Sequence, residues 1–139
     1  MKIRTATAED AEILNELKKI YTNNNNVEQL KKSLANNNTE IVCIAFINKI
    51  PAGFCSGIII KSMFYDGKRA EMESMFVKEE YRKQGIGKEL LNYLEAKLKE
   101  QGIHHFHIST QNTNKNAILL SEKCGYKKTG EIQLDKTIN

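Results

Sequence analysis

Apolar side chains near the start of the chain show one short alternating segment followed by two helical patterns. Lys2–Ala6 alternates between polar and apolar residues, which predicts a β-strand. Thr7–Asp10 supplies side chains that are typical of a helix start. The apolar face of the first predicted helix consists of Ala11, Ile13, Leu14, Leu17 and Ile20. A second helix is predicted over Val27–Leu34, between the polar loops Asn23–Asn26 and Asn36–Asn38.

Runs of β-branched and apolar residues replace the helical pattern in the middle of the chain. Ile41–Ile47 and Gly53–Phe64 predict two strands, separated by a loop that contains the only proline, Pro51. Asp66-Gly67 is typical of a two-residue hairpin turn, because such a turn requires positive φ angles. The next strand, Arg69–Val77, is therefore predicted to pair antiparallel with the strand before it.

The remainder of the chain returns to helical spacing. An apolar residue at every fourth position predicts a third helix over Lys88–Gln101. His104–Ser109 is predicted as a fifth strand, Asn114–Lys123 as a fourth helix, and Tyr126–Thr137 as two short final strands. Periodicity alone indicates a mixed α/β fold without internal repeats.

Length and composition bound the class of protein. The 139 residues suit one domain, 1–139, because domains commonly run to about 100 to 150 residues. The hydrophobic fraction of 40% and the charged fraction of 27% are ordinary for a folded globular protein. The net charge of +4 suits a polyanionic cofactor, but the lysines are spread among glutamates, which disfavours nucleic-acid binding.

The cysteines and histidines indicate neither disulfides nor a metal site. The cysteines are odd in number and none are spaced Cys-x-x-Cys: Cys43, Cys55 and Cys124. Reduced thiols, and the lack of any apolar run of about 18 residues, predict a soluble cytoplasmic protein that does not bind membranes. Strand alternation puts His105 and His107 on one face and His104 on the other, and no cysteine or carboxylate stands at ligand spacing.

A glycine-bearing turn stands between the fourth predicted strand and the third predicted helix. Its sequence is Arg82-Lys83-Gln84-Gly85-Ile86-Gly87. Gly85 and Gly87 let a ligand approach the backbone, and a helix start offers unpaired N–H donors and the positive end of the helix dipole. A phosphate-bearing cofactor is therefore predicted. The spacing excludes a Walker loop, since Glu89 replaces the required serine or threonine, and a dinucleotide fingerprint, since Leu90 replaces the third glycine.

The spacing Arg-x-x-Gly-x-Gly resembles the acyl-coenzyme A diphosphate loop of the GNAT superfamily of N-acetyltransferases. Glu73–Val77 resembles the strand that precedes that loop, and Asn114–Tyr126 resembles the family's later Asn-x-x-Ala helix, which ends in Glu-Lys-x-Gly-aromatic. The resemblance covers most of the chain. It implies the element order βααβββαβαββ with a mostly antiparallel central sheet, acetyl-CoA as cofactor, and transfer of the acetyl group to a primary amine.

The resemblance also implies which residues hold the cofactor. Backbone N–H groups near Met75, Phe76 and Val77 would pair with the pantetheine arm and polarise the thioester carbonyl. The diphosphate would be held by the loop and the first helical turn: Arg82, Lys83, Gln84, Gly85, Ile86, Gly87 and Lys88. Asn114 stands at the family's asparagine position and is expected either to contact pantetheine or to cap its own helix.

Ser121 departs from the family pattern. Family members often carry a tyrosine at this position that protonates the leaving sulfur, and a serine hydroxyl is shorter and less acidic. The leaving sulfur would then be protonated by water, by Ser121 acting through water, or by no acid at all. A non-catalytic acyl-CoA-binding sensor or regulatory module is therefore the alternative function, and a nucleic-acid-binding protein is a less favoured third.

The reaction needs a base, because an alkyl amine with a pKa of about 10.4 is almost wholly protonated near neutral pH. Glu71 and Glu73 are two residues apart in the predicted strand, so they would share a face with Met75 and Val77 and lie roughly 6 to 7 Å apart. A partly apolar setting would raise the pKa of a carboxyl there towards 7. Glu73, nearer the loop, is the favoured base and Glu71 the second candidate; two solvated glutamates are the alternative.

The acceptor is a small-molecule or peptide amine that the sequence does not identify. The resemblance implies a pocket built by the first two helices and the last hairpin. Acidic residues in these segments would suit a cationic amine: Glu9, Asp10, Glu12, Glu16, Glu131 and Asp135. The oligomeric state stays open, with a homodimer among the options.

Overall fold

The computed structural model describes residues 1–23, 25–36 and 39–139. They form two compact units, Met1–Ser109 and Thr110–Asn139. In chain order the elements are β1 (Lys2–Thr5), α1 (Ala11–Tyr21), α2 (Val27–Leu34), β2 (Glu40–Ile47), β3 (Ile50–Lys61), β4 (Lys68–Val77), α3 (Ile86–Glu100), β5 (Phe106–Ile108) and α4 (Lys115–Lys123). Asn24, Asn37 and Asn38, within the predicted polar loops, lie outside the described residues.

The first unit is built on one sheet with strand order β1-β2-β3-β4-β5. The first four strands pair antiparallel, and β5 pairs parallel with β4. Buried side chains of α1, α2 and one sheet face form the main core cluster: Leu14, Leu17, Leu34, Ile44, Phe54 and Phe76. The structure therefore confirms the predicted mixed, mostly antiparallel α/β fold.

Helix α3 packs on the opposite face of the sheet. The Cys55 thiol donates a hydrogen bond to the Leu90 carbonyl oxygen of α3 at 3.4 Å. Gly57 faces the same helix, since a Cβ at this position would lie 3.3 Å from a methyl carbon of Leu94. Side chains alternate along β3, so Phe54, Ser56 and Ile58 face α1 and α2, whereas Cys55 and Gly57 face α3.

The hairpins differ from the sequence prediction. The two-residue turn is Asn48-Lys49, where both residues have positive φ and Ile47 pairs with Ile50. Asp66-Gly67 also has positive φ angles, but Lys61 pairs with Lys68, so these residues end a six-residue loop, 62–67. The prediction of a two-residue turn there was wrong, because the Tyr65 backbone also adopts a left-handed conformation and lengthens the connection.

The two strands predicted within Tyr126–Thr137 are absent from the structure, in which residues 124–139 contain no helix or strand. The apolar side chains that suggested them are exposed, with 82% of Ile132 and 86% of Leu134 accessible. A strand requires a hydrogen-bonded neighbour, and alternation of apolar residues does not supply one. The observed order of elements is therefore βααβββαβα.

Arg4 of β1 ties down the start of α1. Its two terminal nitrogens each donate to one carboxylate oxygen of Asp10 at 2.7 Å, and the Thr7 backbone N–H donates to the same carboxylate at 2.8 Å. These hydrogen bonds from Arg4 hold the pKa of Asp10 below its usual range, against the opposing effect of burial. Asp10 is consequently a structural acid and not one of the acceptor-facing acids suggested by the sequence.

Replacing Asp10 with asparagine should lower the free energy of unfolding by about 2 kcal/mol at pH 7, because it removes a bidentate charged hydrogen bond. A lowered pKa means that the stabilisation is present above the unfolded carboxyl pKa of about 3.9 and is lost as the pH falls through the folded value. Urea unfolding between pH 3 and pH 7 measures the difference, which should shrink below about pH 4. The exposed neighbour Glu9, changed to glutamine, is the control; equal stability of both variants at pH 7 would contradict the assignment.

Candidate functional site

The edge of β4 that faces away from β3 is unpaired beyond the last residue that pairs with β5. β5 pairs only with Ala70–Met72, so Glu73–Val77 has no partner on that edge among the strands the structure describes. The Lys78 N–H donates to Ala52 of β3 at 2.9 Å. Because amide direction alternates along a strand, the N–H groups of Met75 and Val77 point to the open edge.

The backbone N–H of Phe76 does not point to the open edge, although it was predicted to pair with the pantetheine arm. Phe76 pairs with Phe54, so by the same alternation its N–H points to β3, and its side chain is buried in the core. The open edge therefore offers the amides of Met75 and Val77, one on each side of Phe76.

The glycine-bearing turn leads directly into α3, which begins at Ile86. Gly85 precedes it with a φ of 83°, a left-handed conformation that glycine adopts without strain. The first hydrogen bond within the helix runs from the Glu89 N–H to the Gly85 oxygen. The N–H groups of Ile86, Gly87 and Lys88 therefore lack acceptors within the helix and can bind an anion.

The polar and cationic side chains of the turn are exposed at this helix start: Arg82, Lys83, Gln84 and Lys88. Arg82 lies against the strand, with its Nε donating to the Val77 oxygen at 2.8 Å and its guanidinium 5.9 Å from the centre of the Phe76 ring. The Ile86 side chain is buried, so only its backbone can serve a ligand. These free donors and cations fit a diphosphate, and the adjoining strand edge fits an extended amide chain.

A bulge in β4 changes the predicted arrangement of its two glutamates. Ser56 pairs with Ser74 and Gly57 pairs with Met72, so Glu73 is an extra residue without a partner on β3. Glu71 pairs with Ile58 and lies on the α1/α2 face, whereas Met75 pairs with Cys55 on the α3 face. The prediction that Glu71 shares a face with Met75 and Val77 was wrong, because the bulge breaks the alternation between them.

Glu71 is held by several donors of the first unit. Arg69 Nη1 donates to Oε2 at 2.9 Å, and the Ser109 hydroxyl donates to Oε1 at 2.9 Å. His107 Nδ1 lies 4.0 Å from Oε2. Both carboxylate oxygens of Glu71 are thus engaged by neighbouring side chains, so a substrate proton would have to compete with these partners.

The rings around Glu71 confirm the predicted orientation of the histidines. Tyr65 packs its ring edge against both His105 and His107, with centroids 4.6 and 5.8 Å away. The two histidines therefore lie on one side, as strand alternation requires.

Glu73 is exposed on the bulge, beside a hydrogen bond of 2.7 Å between the hydroxyls of Ser56 and Ser74. Its charge acts on Glu40, the first residue of β2, which is partly buried. Burial is the main cause of the raised pKa of Glu40; the Glu73 charge raises it further, and Lys18 of α1 opposes the increase. The sequence analysis did not identify Glu40 as a partly buried strand residue. Its separation of two residues from Val42 and four from Ile44 is the signal that these side chains share a strand face.

The remaining predicted site residues belong to the second unit. The Asn114 side-chain oxygen accepts from the Ala117 N–H at 3.1 Å, so Asn114 caps α4. The Ser121 hydroxyl donates to the Ala117 oxygen at 2.8 Å, one turn back along the helix. Both side chains thus have local partners within α4.

Comparison with known proteins assigns the family. Residues 11–126 match the sequence profile described as the Acetyltransferase (GNAT) family. The chain belongs to the GNAT acetyltransferase family. This match confirms the family that the two motifs predicted.

Two curated GNAT relatives share a segment with this chain. A Xenopus tropicalis protein named "Probable N-acetyltransferase 14" is 37% identical over 65 residues, which are 47% of this chain and 32% of the relative. An uncharacterized N-acetyltransferase of Chlorobaculum tepidum is 38% identical over 64 residues, 46% of this chain and 38% of the relative. The matched segments span about a third of these relatives' length.

Solved structures agree with the GNAT fold. An aminoglycoside acetyltransferase from an uncultured soil metagenomic sample, in complex with sisomicin, has a TM-score of 0.89 at 16% identity and covers 99% of this chain and 96% of its own. The protein AAC(6')-Iy, bound to the bisubstrate analogue CoA-S-monomethyl-acetylneamine, has a TM-score of 0.86 at 16% identity, and the match covers 99% of this chain and 98% of that protein's chain.

Across residues 1–23, 25–36 and 39–139, no helix has the length and hydrophobicity needed to cross a bilayer.

Proposed function

We propose that this protein is an N-acetyltransferase that moves the acetyl group of acetyl-CoA to a primary amine of a small molecule or peptide. The observation that carries the proposal is the open edge of β4, which runs directly into the uncapped start of α3. Membership of the GNAT family and the AAC(6')-Iy structure with a CoA-containing analogue support it. The family match at 11–126 includes residues of both compact units, which supports a single acetyltransferase domain over 1–139.

The chain supplies binding groups for the diphosphate and for the pantetheine arm of acetyl-CoA. The N–H groups of α3's first turn and the cations Arg82, Lys83 and Lys88 hold the diphosphate, with Gln84 beside them. The amides of Met75 and Val77 hold the pantetheine arm as an added strand. Arg82 uses only its Nε for the Val77 oxygen, so its two terminal nitrogens remain to donate to a phosphate.

Acetyl-CoA supplies a thioester whose C–S bond breaks as the C–N bond to the acceptor forms. Glu73 takes the proton from the acceptor ammonium, so that the nitrogen lone pair becomes available for attack. Glu71 is the second candidate, disfavoured by its contacts with Arg69 and Ser109. The sulfur would leave as a thiolate, since a thiol pKa of about 8.5 makes protonation less demanding than removal of the amine proton, and the thiolate would take up the second proton that the acylated nitrogen loses.

Asn114 and Ser121 keep secondary roles in this proposal. Asn114 retains its side-chain NH₂ for a contact with pantetheine while its oxygen caps α4. Ser121 would have to give up its hydrogen bond to the Ala117 oxygen before its hydroxyl could donate a proton to the sulfur through water. A cytoplasmic location and a soluble amine acceptor complete the proposal.

The second candidate function is an acyl-CoA-binding sensor without turnover. The hydrogen bond from Ser121 to Ala117 favours it, because it leaves the usual acid position without a free acidic proton. The two functions share the cofactor site and differ in chemistry alone.

One experiment separates these functions. Purified protein is incubated with acetyl-CoA and a panel of primary amines, free thiol is recorded, and thermal unfolding is followed with and without acetyl-CoA. The proposed function requires amine-dependent thiol release together with an increase in Tm. A Tm increase without thiol release assigns the sensor, and the absence of both overturns the two functions together.

A further inference from the structure

Two serine hydroxyls meet on the α1/α2 face of the sheet, beside the bulge of β4. The hydroxyl oxygens of Ser56 in β3 and Ser74 in β4 lie 2.7 Å apart. The bulge creates this contact, because it brings Ser74 opposite Ser56, where Glu73 would stand if the pairing continued without an extra residue. In the part of the chain that the structure describes, neither hydroxyl has another hydrogen-bond partner. The two hydroxyls therefore form a separate pair next to the proposed base.

Burial decides which of the two hydroxyls donates. Ser56 is 4% accessible, whereas Ser74 is half-buried. A hydroxyl proton that is buried without an acceptor costs free energy, whereas a proton at the surface can be donated to water. Each hydroxyl has one proton, and the contact between them uses only one of the two. Ser56 is therefore the donor and Ser74 the acceptor, which leaves the proton of Ser74 free.

The free proton of Ser74 lies next to an amide of the open edge of β4. Met75 follows Ser74 directly, and its N–H points to that edge. One carbonyl carbon separates the Met75 nitrogen from the Ser74 Cα, so the two donors are neighbours along the backbone. An oxygen atom at the junction of the open edge and the α1/α2 face can accept from both. Two donors aimed at one oxygen are the arrangement that stabilises negative charge in acyl transfer.

The chemistry of a free hydroxyl donor limits which part of the reactants it can serve. An ammonium group offers no lone pair, and a hydrogen bond to the free amine would occupy the lone pair that must attack. The thioester carbonyl oxygen has lone pairs available, and its negative charge increases during the attack. A hydroxyl that already accepts a hydrogen bond, as Ser74 does from Ser56, is also polarised into a stronger donor. The carbonyl oxygen is therefore the group that suits Ser74.

We propose that Ser74 is a catalytic residue whose hydroxyl donates a hydrogen bond to the thioester carbonyl oxygen of acetyl-CoA, alongside the Met75 N–H. This inference rests on the proposed function. As the amine nitrogen forms its bond to the carbonyl carbon, one electron pair of the C=O bond moves onto the oxygen, and it returns when the C–S bond breaks. Ser74 stabilises that charge and keeps its own proton throughout. Ser56 is a positioning residue, because it acts only by orienting and polarising Ser74.

The direction of the hydrogen bond can be tested without turnover. Ser74→Ala leaves the buried Ser56 hydroxyl without an acceptor, whereas Ser56→Ala leaves Ser74 free to bind water. The Tm should therefore fall more in Ser74→Ala than in Ser56→Ala, and the double variant should regain part of the loss. An equal or larger fall in Ser56→Ala overturns the assigned direction and, with it, the free donor.

Catalysis should depend on the Ser74 hydroxyl itself. Ser74→Ala should lower kcat about tenfold and leave both KM values unchanged, since the donor acts as charge develops and the Met75 N–H remains. Ser56→Ala should lower kcat about threefold, with no further loss when it is added to Ser74→Ala. Ser74→Thr keeps a hydroxyl and should restore kcat, and Thr5→Val, a hydroxyl deletion on the edge strand β1, is the control. Equal kcat values in wild type and Ser74→Ala overturn the inference while the proposed function stands.

The infrared spectrum of bound acetyl-CoA gives a readout besides activity. With ¹³C at the thioester carbonyl, the C=O band should lie at a lower wavenumber in wild type and Ser74→Thr than in Ser74→Ala, because a hydrogen bond weakens the C=O bond. The comparison requires binding alone, so it decides the inference even if wild type releases no thiol with any amine. The same band position in all three proteins overturns the inference, and a wild type that does not bind acetyl-CoA overturns it together with the proposed function.

Discussion

Glu73→Gln should lower kcat by about 10² to 10⁴-fold near pH 7 and leave the affinity for acetyl-CoA unchanged. Glutamine keeps the size of the side chain but cannot accept the ammonium proton. The exposed position of Glu73 on the β4 bulge, next to the open strand edge, means that the substitution removes no core contact. Steady-state thiol release with a reactive amine measures kcat, and a thermal shift measures cofactor binding.

The pH profile of this variant distinguishes a missing base from a distorted site. Without Glu73 the rate depends on the fraction of amine that is already unprotonated in solution. The rate of Glu73→Gln should therefore increase with pH towards the amine pKa of about 10.4, and its difference in kcat from wild type should become smaller. Glu71→Gln is the informative comparison. Because Glu71 already accepts hydrogen bonds from Arg69 and Ser109, this substitution should lower kcat less than Glu73→Gln does. A larger loss in Glu71→Gln than in Glu73→Gln would reverse the assignment of the base.

Reversing the charges of Arg82 and Lys88 together, as Arg82→Glu and Lys88→Glu, should weaken acetyl-CoA binding by about a hundredfold, roughly tenfold for each. Both side chains are exposed at the start of α3, where the free N–H groups and the helix dipole already favour an anion. Calorimetric titration with coenzyme A at two salt concentrations measures the loss. The wild-type affinity should fall with salt, and the variant affinity should depend on salt less.

S-acetylpantetheine, which lacks the diphosphate, supplies the control ligand for this variant. It should lose far less affinity in the double variant than coenzyme A does, because its contacts are with the edge of β4 and not with the diphosphate site. Lys99→Glu, an exposed charge reversal near the other end of α3, should leave coenzyme A binding as it was. An unchanged coenzyme A affinity in the double variant would remove the central argument for the cofactor site.

Elements built from neighbouring residues were predicted well. α2 has the predicted bounds, and α1 and β4 each agree to within a residue or so, because a helical or alternating pattern is written in consecutive side chains. The glycine-bearing turn belongs to the same class, since its function depends on a short contiguous segment whose glycines and helix start are visible in the sequence. The family could be inferred from it for this reason.

Features that depend on pairing between distant segments were not predicted. The bulge at Glu73 exists only because Ser56 and Gly57 of β3 pair with Ser74 and Met72, and it reverses the face on which Glu71 lies relative to Met75. The two-residue turn lies at Asn48-Lys49 although Asp66-Gly67 carries the stronger local signal. The prediction of two final strands was wrong because the alternating pattern is present in the sequence, but no neighbouring strand pairs with that segment.

The sequence by itself determined the helices, most strands, the glycine-bearing turn and, through two motifs, the family. Only the tertiary structure decided that Glu73 lies on a bulge of β4, that Glu71 is held by Arg69 and Ser109, and that the amides of Met75 and Val77 face an open edge. The physical reason is that local periodicity sets which residues form an element, whereas the register and divergence of strands set which side chains and amides face one another.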